Sequence, residues 1–177
     1  MDVSEEAYAR AREIRLVLFD VDGVLTDGRI YLDDSGAEIK AFHTHDGHGI
    51  RLLLHYGFEV GVITGRTSKS LEHRMKDLGV KHVYQGCKDK FLVFQELLSG
   101  LKLDERQAAY VGDDIFDLQI MTRCGLAVAV ANANVHIKQH AHCETINTGG
   151  RGAAREVCEL VLDAQGLLDQ VLSHNLR

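Results

Sequence analysis

The chain has 177 residues, of which 45% are apolar and 26% charged, and its 26 acids against 20 bases give a formal net charge of −6. These proportions disfavour a disordered or membrane-embedded chain and predict one globular domain over residues 1–177. The acidity argues against a protein that coats nucleic acid or an anionic membrane, while leaving room for a local site that binds a small anion.

At the start of the chain, Met1–Arg15 is charged and alternating, without the apolar stretch of a signal peptide, and no run of 18 apolar residues follows. A cytoplasmic location is the expectation. Cys87, Cys124, Cys143 and Cys158 lie far apart with no Cys-x-x-Cys pair, which predicts reduced, mostly buried thiols. Leu16–Phe19 has the length and apolar continuity of a buried parallel strand. Residues Gly28–Phe42 then read as a hairpin, with Arg29–Leu32 and Glu38–Phe42 joined by Asp33-Asp34-Ser35-Gly36. Beyond it the pattern alternates. Helix-like segments at about 47–56, 67–78, 88–99, 114–123 and 152–165 are interleaved with strand-like runs at Val60–Ile63, Lys81–Tyr84 (the weakest), Ala108–Val111 and Leu126–Val130. Phe91, Phe94, Leu97 and Leu98 carry the spacing of one buried helix face. Alternation of this kind predicts an α/β fold, a Rossmann-like doubly wound parallel sheet. Ligands of such sheets bind beyond the carboxyl ends of the strands, so a hairpin leaving that edge would overhang the site as a flap.

The residues that follow the strands are chemically selective. Asp20-Val21-Asp22-Gly23 follows the first, Thr64-Gly65-Arg66 the second, and Gly112-Asp113-Asp114 with Asp117 the fourth, while Lys90 opens the helix after the weak third. A parallel sheet gathers all of them on one edge, five carboxylates against one lysine and one arginine. So many like charges raise one another's pKa values unless a cation neutralises them, and an all-oxygen donor set selects a hard ion, Mg²⁺ before zinc. Turn preference alone places Asp and Gly after strands, but it does not account for three such turns in order together with a lysine.

The ordered set Asp20-x-Asp22-Gly23, Thr64-Gly65, Lys90 and Gly112-Asp113-Asp114-x-x-Asp117 resembles the four motifs of the haloacid dehalogenase superfamily of Mg²⁺-dependent phosphotransferases. The segments DVDGVLTDGRIY, DGHGI, ITGR, YQGCKDK, YVGDD and GGRGAAREV, from residue 20 to 157, are similar to its capless subgroup of 3-deoxy-D-manno-octulosonate 8-phosphate phosphatases. The resemblance implies that Asp20 attacks phosphorus to form an aspartyl-phosphate and that Asp22 protonates the departing sugar oxygen and then activates water. It implies that the Asp20 carboxylate, the Asp22 carbonyl and Asp113 hold Mg²⁺, and that Thr64 and Lys90 bind the phosphoryl oxygens. Asp114 and Asp117 are expected to support this set by fixing Lys90 or a metal-bound water, and Gly65, Arg66, Arg74 and Asp46 to bind substrate. Lipopolysaccharide precursor synthesis is the implied setting.

Size adds an expectation. About forty residues separate Asp22 from Thr64, which a hairpin and one helix consume, and helix plus strand fill Thr64 to Lys90, so no cap domain fits. The resemblance implies a homotetramer in which a neighbouring subunit and the C-terminal tail, about 147–177, complete the site. Gly149-Gly150-Arg151-Gly152 reads as a mobile hinge for that tail, and Arg74 reads equally as a plain helix charge. His45 stands where relatives carry an arginine, and His43 with His45, read as one strand face, could hold a transition metal or simply be exposed hairpin residues. A nine-carbon nonulosonate 9-phosphate substrate, a silent oligomerisation domain of a sugar-activating enzyme, and a phospho-receiver switch stay open beside the main reading. Asp22 speaks against the receiver, because an acid–base group two residues from the acceptor promotes turnover.

Overall fold

The computed structural model describes residues 3–175. Among them, β1 (Leu16–Phe19), β4 (Glu59–Ile63), β5 (His82–Tyr84), β6 (Ala108–Gly112), β7 (Leu126–Ala129) and β8 (Cys143–Glu144) form one parallel sheet in the order β5-β4-β1-β6-β7-β8. β1 is the central strand, with Val17 paired to Val60 on one side and to Ala109 on the other. All four of its side chains are buried, as a strand covered on both faces requires. Strand order reverses between β1 and β6, which puts a crevice at the carboxyl ends of those two strands. The doubly wound sheet expected from the alternation is the one observed.

Helices cover both faces. On one side α2 (Thr44–His55) packs on α3 (Lys69–Leu78) and α7 (Ala153–Ala164), and α7 packs on α1 (Glu5–Glu13). On the other, α4 (Lys90–Leu101) packs on α5 (Leu118–Met121). α4 starts where Asp89 accepts a hydrogen bond from Leu92 N at 3.0 Å, a side-chain cap that fixes the position of Lys90 as the first helical residue. α6 (Val135–Lys138) packs on β7, and α8 (Leu168–Asn175) packs on α7. No helix among the described residues is long and apolar enough to cross a membrane.

Several expectations shift. The hairpin strands shrink to β2 (Tyr31–Leu32) and β3 (Glu38–Ile39), because this ribbon has no core of its own: Leu32 is 62% and Ile39 55% exposed. Its tip is closed by Asp33 Oδ1, which accepts from Ser35 N at 2.9 Å and Ala37 N at 2.8 Å. The helix expected over 114–123 divides into a 3-10 turn, Ile115–Asp117, and the short α5. His43 and His45 are not on a strand. His43 precedes α2 as its cap residue and His45 lies in the first turn, with the two rings edge to face at 4.9 Å.

The glycine segment after β8 is also not a free hinge. Gly150 N donates to Val24 O at 2.8 Å, and Gly149 N donates to Asn132 Oδ1 at 2.8 Å. A Cβ at Gly149 would lie 1.6 Å from Gly23 O, so glycine is required there for the tail to pass beneath the loop that leaves β1.

Candidate active site

The carboxyl ends of β1, β4 and β6 open into a cleft of about 810 Å³. Asp20, Asp22, Thr64, Gly65, Arg66, Lys90, Asp113, Asp114 and Asp117 all border it. Lys90 reaches in from the start of α4, with Nζ 2.8 Å from Asp20 Oδ1 and 2.8 Å from Asp117 Oδ1. Asp117 is 1% exposed and fully engaged. Its Oδ1 also accepts from the Tyr110 hydroxyl at 2.8 Å, and its Oδ2 accepts from Asp113 N at 3.0 Å and Asp114 N at 3.2 Å. These bonds explain the broken helix: the Asp117 carboxylate folds back onto the chain before it and tightens the turn. Asp117 therefore holds the ammonium of Lys90 in place. Asp114 does not. Asp114 is exposed and its Oδ1 accepts from Ile115 N at 2.8 Å, while the hydrogen bonds of Lys90 go to Asp20 and Asp117.

Asp20 and Asp113 concentrate negative charge. Burial, then the Asp117 charge, pushes Asp20 up to about 6 against the opposing pull of Lys90. Burial, then Asp20 and Asp117, pushes Asp113 up to about 8. Asp113 Oδ1 is buried with no hydrogen-bond partner among the described residues. Asp20, Asp113 and Asp117 each offer one carboxylate oxygen within 4.8 Å of the others. A buried orphan oxygen among oxygen donors fits a hard divalent cation, which would satisfy the orphan and offset the repulsion. Because the oxygens of Asp117 are already spent on Lys90, Tyr110 and two amides, Asp20 and Asp113 are the carboxylates with capacity to spare. The loop from β1 closes tightly on this group. Gly23 has φ +98°, and a Cβ there would lie 2.1 Å from Asp113 Oδ2.

The hairpin contributes side chains that sequence reasoning missed. Lys40, just beyond β3, donates to Asp22 Oδ1 and pairs with Glu38 Oε1 at 2.7 Å. Arg66 pairs with Glu38 Oε2, and its Nε is 3.9 Å from Asp22 Oδ2. The Glu38 carboxyl is held below its usual range by Lys40 first and Arg66 next. Glu38 and Lys40 are two residues apart and share one face of an extended strand, a charged stripe that alternation makes visible.

Two sequence candidates lie elsewhere in the subunit. Asp46 is 2% exposed and caps α7, its Oδ1 accepting from Arg155 N at 2.9 Å and its Oδ2 from Gly152 N at 3.2 Å. Arg74 pairs with Asp77 at 3.2 Å and lies against Gly47, in a separate small pocket with Phe42 and His43. Neither borders the cleft of this chain. Cys87 does, and burial pushes its thiol up, away from a reactive thiolate.

A family model described as haloacid dehalogenase-like hydrolase matches residues 82–156. The 3-deoxy-D-manno-octulosonate 8-phosphate phosphatase KdsC of Escherichia coli (strain K12) is 47% identical over 174 residues, 98% of this chain and 93% of its own. The crystal structure of the phosphatase of that name from Yersinia pestis superposes with a TM-score of 0.93 at 47% identity, covering 94% of this chain and 90% of that one. The Moraxella catarrhalis phosphatase, in complex with magnesium ion, phosphate ion and a KDO molecule, gives a TM-score of 0.94 at 38% identity over 96% of this chain and 97% of that one. With this identity along nearly its full length, the chain belongs to the 3-deoxy-D-manno-octulosonate 8-phosphate phosphatase family of haloacid dehalogenase-like hydrolases.

Proposed function

We propose that this protein is a Mg²⁺-dependent phosphomonoesterase that converts 3-deoxy-D-manno-octulosonate 8-phosphate into the free sugar acid and phosphate, in lipopolysaccharide precursor synthesis in the cytoplasm. The observation that carries the reading is the buried Asp20 carboxylate, held by Lys90 at 2.8 Å beside the unpartnered oxygen of Asp113. Asp20 attacks phosphorus in line, and the bond from phosphorus to the sugar oxygen breaks as an aspartyl-phosphate forms. Asp22 gives its proton to the leaving sugar oxygen and later takes one from the water that releases phosphate. Lys90 and the Thr64 hydroxyl bind the phosphoryl oxygens, over which charge spreads in the transition state. Asp117 keeps the Lys90 ammonium aimed at that position. A bound Mg²⁺, held by Asp20, the Asp22 carbonyl and Asp113, would offset the repulsion between the carboxylates and the incoming phosphate.

Among the described residues the cleft has no cap of its own. The hairpin and α2 occupy the first possible insertion point, and α3 with β5 the second. Ile30, Leu32 and Ile39 of the hairpin region and Phe116 at the cleft mouth are exposed apolar side chains, the kind of surface that a homotetramer would bury. Arg74 would then serve a neighbour's site. A panel of sugar phosphates with Mg²⁺ and phosphate detection tests the substrate: octulosonate 8-phosphate should give the highest kcat/KM. Preference for a nonulosonate 9-phosphate or a hexose phosphate would overturn the substrate and leave the chemistry standing.

A further inference from the structure

At the foot of the hairpin the side chains of Lys40, Glu38 and Asp22 form a charged, largely buried cluster outside the groups proposed to hold phosphate and metal, to which Asp22 gives only its backbone carbonyl. The Lys40 side chain is 5% exposed, the Glu38 side chain 16% and the Asp22 side chain 25%. An ammonium withdrawn from water this far is costly unless paired, and both partners of Lys40 are carboxylates. Arg66 by itself already ties the hairpin to the sheet through Glu38, so anchoring the flap does not require a second cation. What Lys40 adds is a bond to one particular oxygen, Asp22 Oδ1. The other oxygen, Oδ2, has no hydrogen-bond partner among the described residues and faces only the Arg66 guanidinium, at 3.9 Å.

Resting on the acid–base reading of Asp22 above, we propose that Lys40 is a positioning residue for Asp22: it fixes the carboxyl rotamer through Oδ1 and leaves Oδ2 as the oxygen that carries the transferred proton. The flap then does more than cover the cleft. Its Lys40 aligns the acid with the leaving sugar oxygen, and Glu38, itself paired with Arg66, keeps Lys40 against Asp22. In the step so aligned, the electron pair of the breaking bond between phosphorus and oxygen moves to the sugar oxygen, and the proton of Asp22 Oδ2 follows it. The sugar leaves as an alcohol.

A leaving group that needs no proton separates this role from a structural one. Nitrophenolate departs as a stable anion, whereas a sugar alkoxide does not, and kcat/KM reports only the steps through phosphoryl transfer. The experiment compares kcat/KM on octulosonate 8-phosphate and on p-nitrophenyl phosphate for wild type, Lys40→Met, Lys40→Arg, Asp22→Asn and the Lys40→Met/Asp22→Asn double variant, all with Mg²⁺. General acid help of about 10²–10⁴-fold sets the scale for Asp22→Asn on the sugar phosphate. Lys40→Met should lose at least about tenfold more on the sugar phosphate than on p-nitrophenyl phosphate, and no more than Asp22→Asn loses. Lys40→Arg should recover part of the difference, and Lys40→Met should add no further discrimination in the Asp22→Asn background. Equal losses on the two substrates, or none, would overturn the assignment of Lys40 while Asp22→Asn still discriminates. If Asp22→Asn itself fails to discriminate, the acid–base reading of Asp22 falls instead.

Discussion

Gly23 and Asp113 meet so closely that a single methyl group at residue 23 would lie 2.1 Å from Asp113 Oδ2. The contact joins the loop after β1 to the end of β6, the two strands between which the sheet order reverses. It puts the backbone that carries Asp22 against the carboxylate with the unsatisfied oxygen. Gly23→Ala should therefore displace Asp113, in addition to the strain of a non-glycine residue at φ +98°. The expected result is a loss of Mg²⁺ affinity of at least about tenfold, in the range found when groups orienting a metal ligand are changed. Calorimetric titration with MgCl₂ checks it, and affinity equal to wild type would show that the contact relaxes freely.

The raised pKa values of Asp20 and Asp113 give the metal-free protein a defined pH dependence. Both carboxyls ionise from about 4 in the unfolded chain but only near 6 and 8 in the folded one. The folded state therefore binds more protons across that window, and its stability falls as pH rises from about 4 to about 8. Mg²⁺ competes with the same protons, so its stabilising effect grows in the same direction. Thermal melts with and without Mg²⁺ should show a larger gain at the upper end of the window than at the lower. A gain that is flat with pH, or larger in acid, would contradict the charge balance drawn for the site.

Asp46 yields a prediction opposite to its reading from sequence. Burial raises its pKa, and amide bonds from Arg155 and Gly152 oppose that rise, as expected of a helix cap. Asp46→Ala leaves two amides at the start of α7 unpaired and should destabilise the fold by about 1–3 kcal/mol. KM for the sugar phosphate should stay within about twofold, a change of less than about 0.5 kcal/mol in binding. Denaturant unfolding and steady-state kinetics measure the two quantities. A large rise in KM with unchanged stability would return Asp46 to the substrate.

The sequence is most legible where chemistry sits directly beside a buried strand. Leu16–Phe19 and Ala108–Val111 are apolar on both faces, so their register leaves no freedom, and Asp20 and Gly112-Asp113 follow without a gap. Lys90 is placed by its Asp89 cap in the same way. Legibility fades with distance from the sheet. Asp46 and Arg74 lie on α2 and α3, where sequence gives the helix but not which way it is turned, and packing on α7 turns Asp46 inward. The break in the helix after Asp114 depends on Asp117 bonding back to amides three and four residues earlier, a contact that apolar periodicity does not record. β8, with only Cys143 and Glu144, is too short for any alternation. α1 buries only Ala7 and Ala11, too small a stripe to stand out.

Acid quenching during turnover of octulosonate 8-phosphate with Mg²⁺, followed by peptide mass analysis, shows whether Asp20 is the nucleophile. Wild type should carry a phosphoryl group on Asp20, and Asp20→Asn should show neither that adduct nor phosphate release. Phosphate release by Asp20→Asn at the wild-type rate, or a phosphoryl group on a different residue, would contradict that role.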